Sequence, residues 1–521
     1  MDRYLMTIDA GTGSGRALLF DLQGNEIAIG QQEWSHLAEK GVPNSMGFDC
    51  SANWDLLCRC IKKVLAEARI KAEQVVAVTA TSMREGIVLY DRDGKELWAV
   101  ANVDARADQQ VRNLKQKFPG IEEQFYQRSG QTFALGALPR LLWVKENEPD
   151  CYQRADKVSM ISDWVLARLS GTIAADPSNG GTTGIFSLAE RQWQPEMAQQ
   201  VGLNAKLFPP VFESGQVIGE VTPTAAADCG LKTGTPVVMG GGDVQLGSAG
   251  LGIVKQGQSA VLGGTFWQQV VNIDATTAPP QDMRIRVNPH VIDGLSQAEG
   301  ITFFSGLTMR WFRDAFCGEE VKLAQQRGID PYLVLEEMAE QVPVGSHGIV
   351  PIFSDAMKYG RWYHASPSFL NLSIDASVCN KASMFRSLQE NACIVSAINL
   401  QAISDFSGYD SDSIVFAGGA SKGFLWPQIL ADVTGKNVCI PKIREATALG
   451  GAMTAAVGIG LYGSISEVAE QWVAWDKQYQ PNLANYQKYS EVKERWLDLY
   501  QRQLRLVDEG LTTSMWKAPG L

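Results

Sequence analysis

The chain has no excess of basic residues, no cysteine framework, few histidines and no long apolar run, and each absence closes a class of function. Lys and Arg number 46 against 57 Asp and Glu, for a formal net charge of −11. A sequence-independent nucleic-acid binder needs a basic face, so nucleic acid is not an expected partner. A local phosphate site stays open, because backbone N–H groups and a bound metal can supply positive potential in a small volume. The nine cysteines are scattered, and the close pair Cys58 and Cys60 lacks the second pair or neighbouring His of a metal site. An odd cysteine count in a long chain argues against a disulfide framework and for a reducing compartment. His36, His290, His347 and His364 lie apart, without metal spacing, and are assigned no role. No uncharged apolar stretch approaches the length of a bilayer span, so no membrane partner is expected. Met1-Asp2-Arg3 leads directly into an apolar run that stops at Asp9, which predicts no signal peptide and a cytoplasmic location.

What is present is a 521-residue chain, too long for one ordinary core, so two large domains are expected. Its 45% hydrophobic and 20% charged residues are the balance of a globular enzyme. Tyr4 to Ile8 reads as a strand, a Gly-rich turn follows, and Ala17 to Phe20 reads as a second strand, with a third through Ile29. Ser51 or Asn53 is a candidate cap for a helix that carries Trp54, Leu57, Ile61, Val64 and Leu65 on one face. Val75 to Ala80 is again a strand, ending at Thr81-Ser82-Met83-Arg84-Glu85-Gly86. Strands and amphipathic helices then alternate, which makes the class α/β. Halfway along, Ser259 to Leu262, Gly263-Gly264-Thr265 and Phe266 to Ile273 repeat the opening pattern of strand, Gly-Thr turn and strand. The repetition suggests a duplicated domain with a nucleotide between the halves, and Gly240 to Gly252 is the expected crossover. Ile414 to Ala417 reads as a strand running into Gly418-Gly419-Ala420-Ser421 and a helix to about Val433. A small-residue helix is expected from Arg444 to Val457, and an amphipathic surface helix from Tyr486 to Leu506.

Each motif has a chemical and a plain reading. In Asp9-Ala10-Gly11-Thr12-Gly13-Ser14-Gly15-Arg16 the glycines let the backbone approach phosphate oxygens. Thr12 and Ser14 add hydroxyl donors, and Arg16 a charge. The P-loop lysine is missing, and no G-x-G-x-x-G opens a helix. Alone, this loop equally fits a hairpin turn. Asp243, set among glycines between an apolar strand and a helix start, suits a general base that takes a hydroxyl proton during phosphoryl transfer. It equally suits a helix cap. Gly263-Gly264-Thr265 is the matching loop of the other half, or another turn. Gly418, Gly419 and Ser421 stand where a strand hands over to a helix, a natural nucleotide position. A tight connection would use the same residues. Arg84-Glu85 and Asp104-x-Arg106 can read hydroxyls and a carbonyl together, or form surface ion pairs.

The order of these motifs, from the Asp-Gly-Thr loop through Arg-Glu, Asp-x-Arg, Gly-Asp and Gly-Gly-Thr to Gly-Gly-x-Ser, resembles the FGGY carbohydrate kinases from about Leu5 to about Gly460. Leu138 to Trp143, Asp163, Asp176 to Asn179, Arg386 with Glu390, and Glu445 to Gly450 continue the series. Ser82 to Gly86, Asn102 to Arg106, Gly242 to Gly247, Gly263 to Gln269 and Thr512 to Leu521 are similar to one subgroup. Its members phosphorylate the signal autoinducer-2, open-chain 4,5-dihydroxy-2,3-pentanedione, on its terminal hydroxyl.

The resemblance implies two ribonuclease H-like domains of the actin, hexokinase and Hsp70 type flanking an ATP cleft. Residues 1–248 would hold the substrate pocket and base, and residues 249–521 the nucleotide pocket. It implies ATP and Mg²⁺, with Asp243 as general base and Asp9 on the metal side together with Asp243. Gly11, Thr12, Gly13, Ser14, Arg16 and Gly263-Gly264-Thr265 would face the phosphates. Gly418, Gly419 and Ser421 would line the nucleotide pocket. Arg84, Glu85, Asp104 and Asp243 would meet the substrate, with Phe266 or Trp267 as an apolar wall. By analogy with the family, a regulatory partner from the sugar-uptake machinery is a further expectation. Two departures stand out: Arg140 replaces the usual Lys of Leu-Pro-Lys-Leu, and His364 to Leu372 does not follow the family's Ala-Arg-Gly pattern. Glycerol, erythritol and pentulose kinases remain as rivals, as does a catalytically weak nucleotide clamp. The Asp243, Arg84, Glu85 and Asp104 set counts against the clamp, and Arg84-Glu85 favours a short linear substrate over a ring.

Overall fold

A computed structural model describes residues 2–134, 136–353, 363–443 and 445–516. Arg444 and residues 517–521, which fall in the expected small-residue helix and the family-like tail, lie outside the described residues.

The first sheet grows around strand Tyr4–Ala10, whose Leu5, Met6 and Ile8 are fully buried because elements cover both faces. It pairs antiparallel with Ser14–Asp21, which pairs antiparallel with Glu26–Glu33. On its other side it runs parallel to Val75–Ser82, itself parallel to Pro236–Gly242. Helix Cys50–Glu67 covers one face through the five apolar residues its periodicity predicts. Its cap is Asp49, whose carboxylate accepts the Ala52 N–H at 2.9 Å. Ser51 and Asn53 already lie inside the helix, where their side chains cannot serve its first free N–H groups.

The second sheet repeats the plan. Ser259–Gly263 pairs antiparallel with Trp267–Asp274, which pairs antiparallel with Leu295–Thr302. Its other neighbour is the parallel Ser413–Ala417, followed by the parallel Asn437–Pro441. The long helix Lys381–Ser407 lies against this sheet and buries Phe385, Leu388, Ile394 and Ile403. The two Gly-Thr hairpins therefore occupy equivalent places in two sheets that share a strand order, the second with the extra edge strand Arg286–Pro289.

The expected crossover is a strand running directly into a helix. Gly240 to Gly242 end the strand Pro236–Gly242, and Asp243–Gly250 is a helix. Its glycines serve contact. The helix crosses Ala446–Gly458 so closely that a Cβ on Gly250 would lie 1.9 Å from the Ala446 carbonyl oxygen. A Cβ on Gly450 would lie 1.9 Å from that of Leu246. Helix Ala446–Gly458 in turn packs on the first sheet, where the Thr7 hydroxyl donates to the Ala448 carbonyl at 2.9 Å. Leu5, Phe20 and Ala77 meet Leu449, Ala452 and Met453 there. One late helix thus binds the two halves at the level of the cleft.

Candidate active site

The loop after strand Tyr4–Ala10 is a tight hairpin, closed by the Gly11 N–H donating to the Ser14 carbonyl at 3.0 Å. Its tip, Thr12 and Gly13, is exposed. Trp34 Nε1 donates to the Gly11 carbonyl at 3.0 Å, and Asn102 donates to the Thr12 hydroxyl at 3.0 Å, so the loop is held from outside. Arg16 does not face the loop tip as a spare cation. Its guanidinium joins Asp9 to Glu445, the latter at 2.7 Å. Arg16 is part of the frame here, because two carboxylates already satisfy it. Asp9 is 3% exposed, and burial raises its pKa above the usual carboxylate value while Arg16 opposes the shift.

Asp243 opens the helix Asp243–Gly250 at the end of strand Pro236–Gly242, and its Oδ1 accepts the Val244 N–H at 2.8 Å. It is not the cap, a position that belongs to Gly242. Desolvation pushes its pKa up to about 7, with Arg84 opposing and the charges of Asp9 and Glu85 adding. Arg84 Nε lies 3.8 Å from the Asp243 carboxylate. A carboxylate held near neutrality is matched to proton transfer at physiological pH.

Arg84 and Glu85 follow the strand Val75–Ser82 and reach across to the second sheet. Arg84 forks onto Glu299 of strand Leu295–Thr302 at 2.6 and 2.8 Å, and Gln245 donates to the same carboxylate at 2.7 Å. Glu85 accepts from Arg286 of strand Arg286–Pro289 at 2.7 Å. Burial works against the Glu85 charge, but Arg286 and Arg84 outweigh it and hold the carboxyl below its ordinary value. Glu85 has φ 66°, a left-handed conformation that costs a non-glycine residue about 1–3 kcal/mol. Arg140 stabilises it, since this buried guanidinium donates to the carbonyls of Glu85, Asn102 and Asp104. The Arg that departs from the family's Lys thus clamps the backbone of the Arg84-Glu85 and Asn102 to Asp104 segments together. A cavity of about 70 Å³ adjoins these pairs, lined in part by Gln131, Thr132, Arg286 and Glu299.

Asp104 is not open to a ligand. Its carboxylate accepts from Met46 N–H at 2.6 Å and from Arg106, which is 2.7 Å from Glu39 and lies over the rings of Trp98 and Trp143. A carboxylate with its lone pairs spent on a buried guanidinium orders the loop instead of reading substrate hydroxyls. Trp267 is a second correction. It is fully buried against Trp426 and Phe416, at centroid distances of 4.7 and 5.2 Å, inside the second core. Phe266, one residue earlier and just before the strand begins, is 44% exposed and packs edge-on against Phe303 at 5.7 Å.

On the second sheet a cavity of about 410 Å³ is lined by Gly263, Gly264, Thr265, Gly419, Ala420 and Glu336 among others. Gly418 and Ser421 stand behind its wall. Gly418, at φ 98°, packs directly on the Gly263 backbone, and the Ser421 hydroxyl donates to the Gly418 carbonyl at 2.9 Å. Those two residues fix the path of the loop that Gly419 and Ala420 present. Glu336, unforeseen from sequence, accepts the N–H groups of Phe424, Leu425 and Trp426 at 2.7–3.2 Å. Among the described residues no group of three or more His, Cys, Asp or Glu is arranged to hold a metal ion. No helix among them is long and apolar enough to cross a membrane.

A glycine-rich hairpin repeated in two like sheets, a roomy cavity on the second sheet and a near-neutral carboxylate at a strand end are together suited to phosphoryl transfer. The N-terminal-domain model of the FGGY family of carbohydrate kinases matches residues 4–250, and the C-terminal-domain model matches residues 270–459. The chain belongs to this family and is an ATP-dependent kinase. A protein named autoinducer-2 kinase from Yersinia enterocolitica is 58% identical over 519 residues, 99% of this chain and 98% of that protein. Another of that name from Salmonella typhimurium is 56% identical over 519 residues, with the same coverage of each. The crystal structure of xylulose kinase from Rhodospirillum rubrum superposes with a TM-score of 0.84 at 22% identity, over 96% of this chain and 99% of that one. The fold is therefore the two-domain, actin- and hexokinase-like α/β fold of the sugar kinases.

Proposed function

We propose that this kinase transfers the γ-phosphoryl group of ATP to the terminal hydroxyl of autoinducer-2 in its open-chain form, 4,5-dihydroxy-2,3-pentanedione. The observation that carries the mechanism is Asp243, poised near 7 and 3.8 Å from Arg84, which ties it to the small cavity between the halves. The substrate assignment is supported by the names of the relatives at 56–58% identity over essentially the whole chain. The acceptor's far end lies toward Arg286 and Glu299, and its reacting hydroxyl toward Asp243. Asp243 accepts the hydroxyl proton as the oxygen bonds to the γ-phosphorus. The bond from that phosphorus to the bridging oxygen breaks, and ADP leaves with the electron pair. The N–H groups of the Thr12–Gly13 tip and of Gly263-Gly264-Thr265 cradle the β- and γ-phosphates, and the larger cavity takes the nucleoside.

Mg²⁺ suits two carboxylates supplemented by water and phosphate oxygens. Asp9 and Asp243 fit that need, since the charge of Asp9 raises the pKa of Asp243 and a bound cation would offset it. When bound, it neutralises charge on the phosphates. We further place the enzyme in the cytoplasm, where ATP is available. The test is a kinase panel with product identification by mass spectrometry, offering dihydroxypentanedione beside glycerol, erythritol, xylulose and ribulose. A clear preference for the dione is expected. Preference for glycerol or a pentulose would overturn the substrate and leave the phosphotransfer geometry standing.

A further inference from the structure

The small cavity between the halves has two unlike walls. One is polar: Arg286 donates to Gln131 at 2.7 and 2.9 Å and to Glu85, and Glu299 holds Arg84. The other is aromatic, formed by Phe303 and Trp516. Trp516 comes from the segment that follows the long helix Leu483–Asp508, far along the sequence from every catalytic motif. It is delivered by specific bonds. Its carbonyl accepts the His364 N–H at 3.1 Å and the Ser514 hydroxyl at 2.6 Å, and its ring stacks on Phe303 at 5.0 Å and 30°. Phe303 in turn meets Phe266, the residue after the Gly263-Gly264-Thr265 loop. An aromatic row therefore runs from the phosphate loop to the far wall of the acceptor cavity.

Resting on the acceptor assignment above, we propose that Trp516 is a specificity-determining residue, which selects an acceptor whose end remote from the reacting hydroxyl is an apolar methyl ketone. Glu299 and Arg84 lead from this cavity to Asp243, so an acceptor with its terminal hydroxyl at Asp243 directs its other end toward Trp516 and Phe303. The methyl group of the dione meets the aromatic wall, and its carbonyl oxygens meet the Arg286 and Gln131 side. A polyol such as glycerol or erythritol ends instead in a hydroxyl, which the aromatic wall leaves without a partner.

The experiment compares Trp516→Ala, Trp516→Phe and the parent by steady-state kinetics with the dione and with erythritol. Hydrogen–deuterium exchange of residues 512–516 is followed with and without acceptor. Trp516→Ala is expected to raise the acceptor KM and to lower dione-over-erythritol selectivity by about tenfold each, the order of a lost apolar pocket contact. Trp516→Phe is expected to retain most of both. The KM for ATP is expected to stay within about twofold of the parent, and the acceptor to slow exchange in residues 512–516. An acceptor KM unchanged in Trp516→Ala, or KM values for acceptor and ATP that rise together, would overturn the proposal while the substrate reading stands. If Trp516→Ala fails to fold, Trp516→Phe and the exchange measurement on the parent decide it, and absent protection overturns it. Should the parent prefer another acceptor, the substrate reading fails, and the methyl-ketone selection fails with it.

Discussion

At Asp243 two opposing influences meet: desolvation and the charges of Asp9 and Glu85 raise its pKa, while Arg84 lowers it, and the balance lies at about 7. A base works deprotonated, so kcat/KM for the acceptor is expected to rise with pH through an inflection near 7 and level off above it. Removing the Asp9 charge, as Asp9→Asn, is expected to move that inflection to lower pH in the residual activity. A pH–rate profile with no limb in this region would contradict the base assignment. Arg84→Met is expected to leave Glu299, 1% exposed, as an uncompensated buried charge and to destabilise the fold by about 3–5 kcal/mol, read by denaturant unfolding. These residues differ in how legible they were. Asp9, Arg84, Glu85 and Asp243 stand in short motifs at strand ends, where local pattern locates them. Glu299 lies within a strand and Arg286 opens one, both without any local signature, and their partners Arg84 and Glu85 lie more than 200 residues away in sequence. Phe266 and Trp267 are neighbours where a bend enters a strand, one exposed and the other in the core, and composition alone does not say which. Asp104 shows the reverse problem: its Asp-x-Arg spacing suggested a reading surface, yet the two side chains satisfy each other.

The elements were easier to read than their contacts. The strand–turn–strand units at Tyr4 and Ser259, and the helix Cys50–Glu67, follow from alternation and from helical periodicity. The glycine-rich stretch Gly240 to Gly252 pointed to a crossover, but not to the reason for Gly250, which thins the helix Asp243–Gly250 so that its backbone touches another helix. That demand comes from tertiary packing and leaves no trace in local pattern. Gly450→Ala is expected to lower stability by about 3 kcal/mol through overpacking against the Leu246 carbonyl. Thermal and denaturant unfolding would measure it, and an unchanged midpoint would contradict the close crossing. The same variant is expected to lower turnover, since the helix that begins with Asp243 would be displaced.

For the whole molecule the duplicated sheets provide two Gly-Thr hairpins, and the ion pairs Arg84–Glu299 and Glu85–Arg286 join the halves beside the small cavity. Closing such a cleft excludes water and suppresses wasteful ATP hydrolysis. Small-angle scattering is expected to show compaction when a nonhydrolysable ATP analogue and the acceptor are both present, beyond that with either alone. An unchanged radius of gyration would count against closure. The central claim, that one carboxylate between the two cavities takes the acceptor's proton, is tested most directly by single-turnover phosphoryl transfer in Asp243→Asn beside the parent. Transfer is predicted to slow by about 10²–10⁴-fold, the usual contribution of a general base, while ATP still binds. Transfer at nearly the parent rate would contradict it.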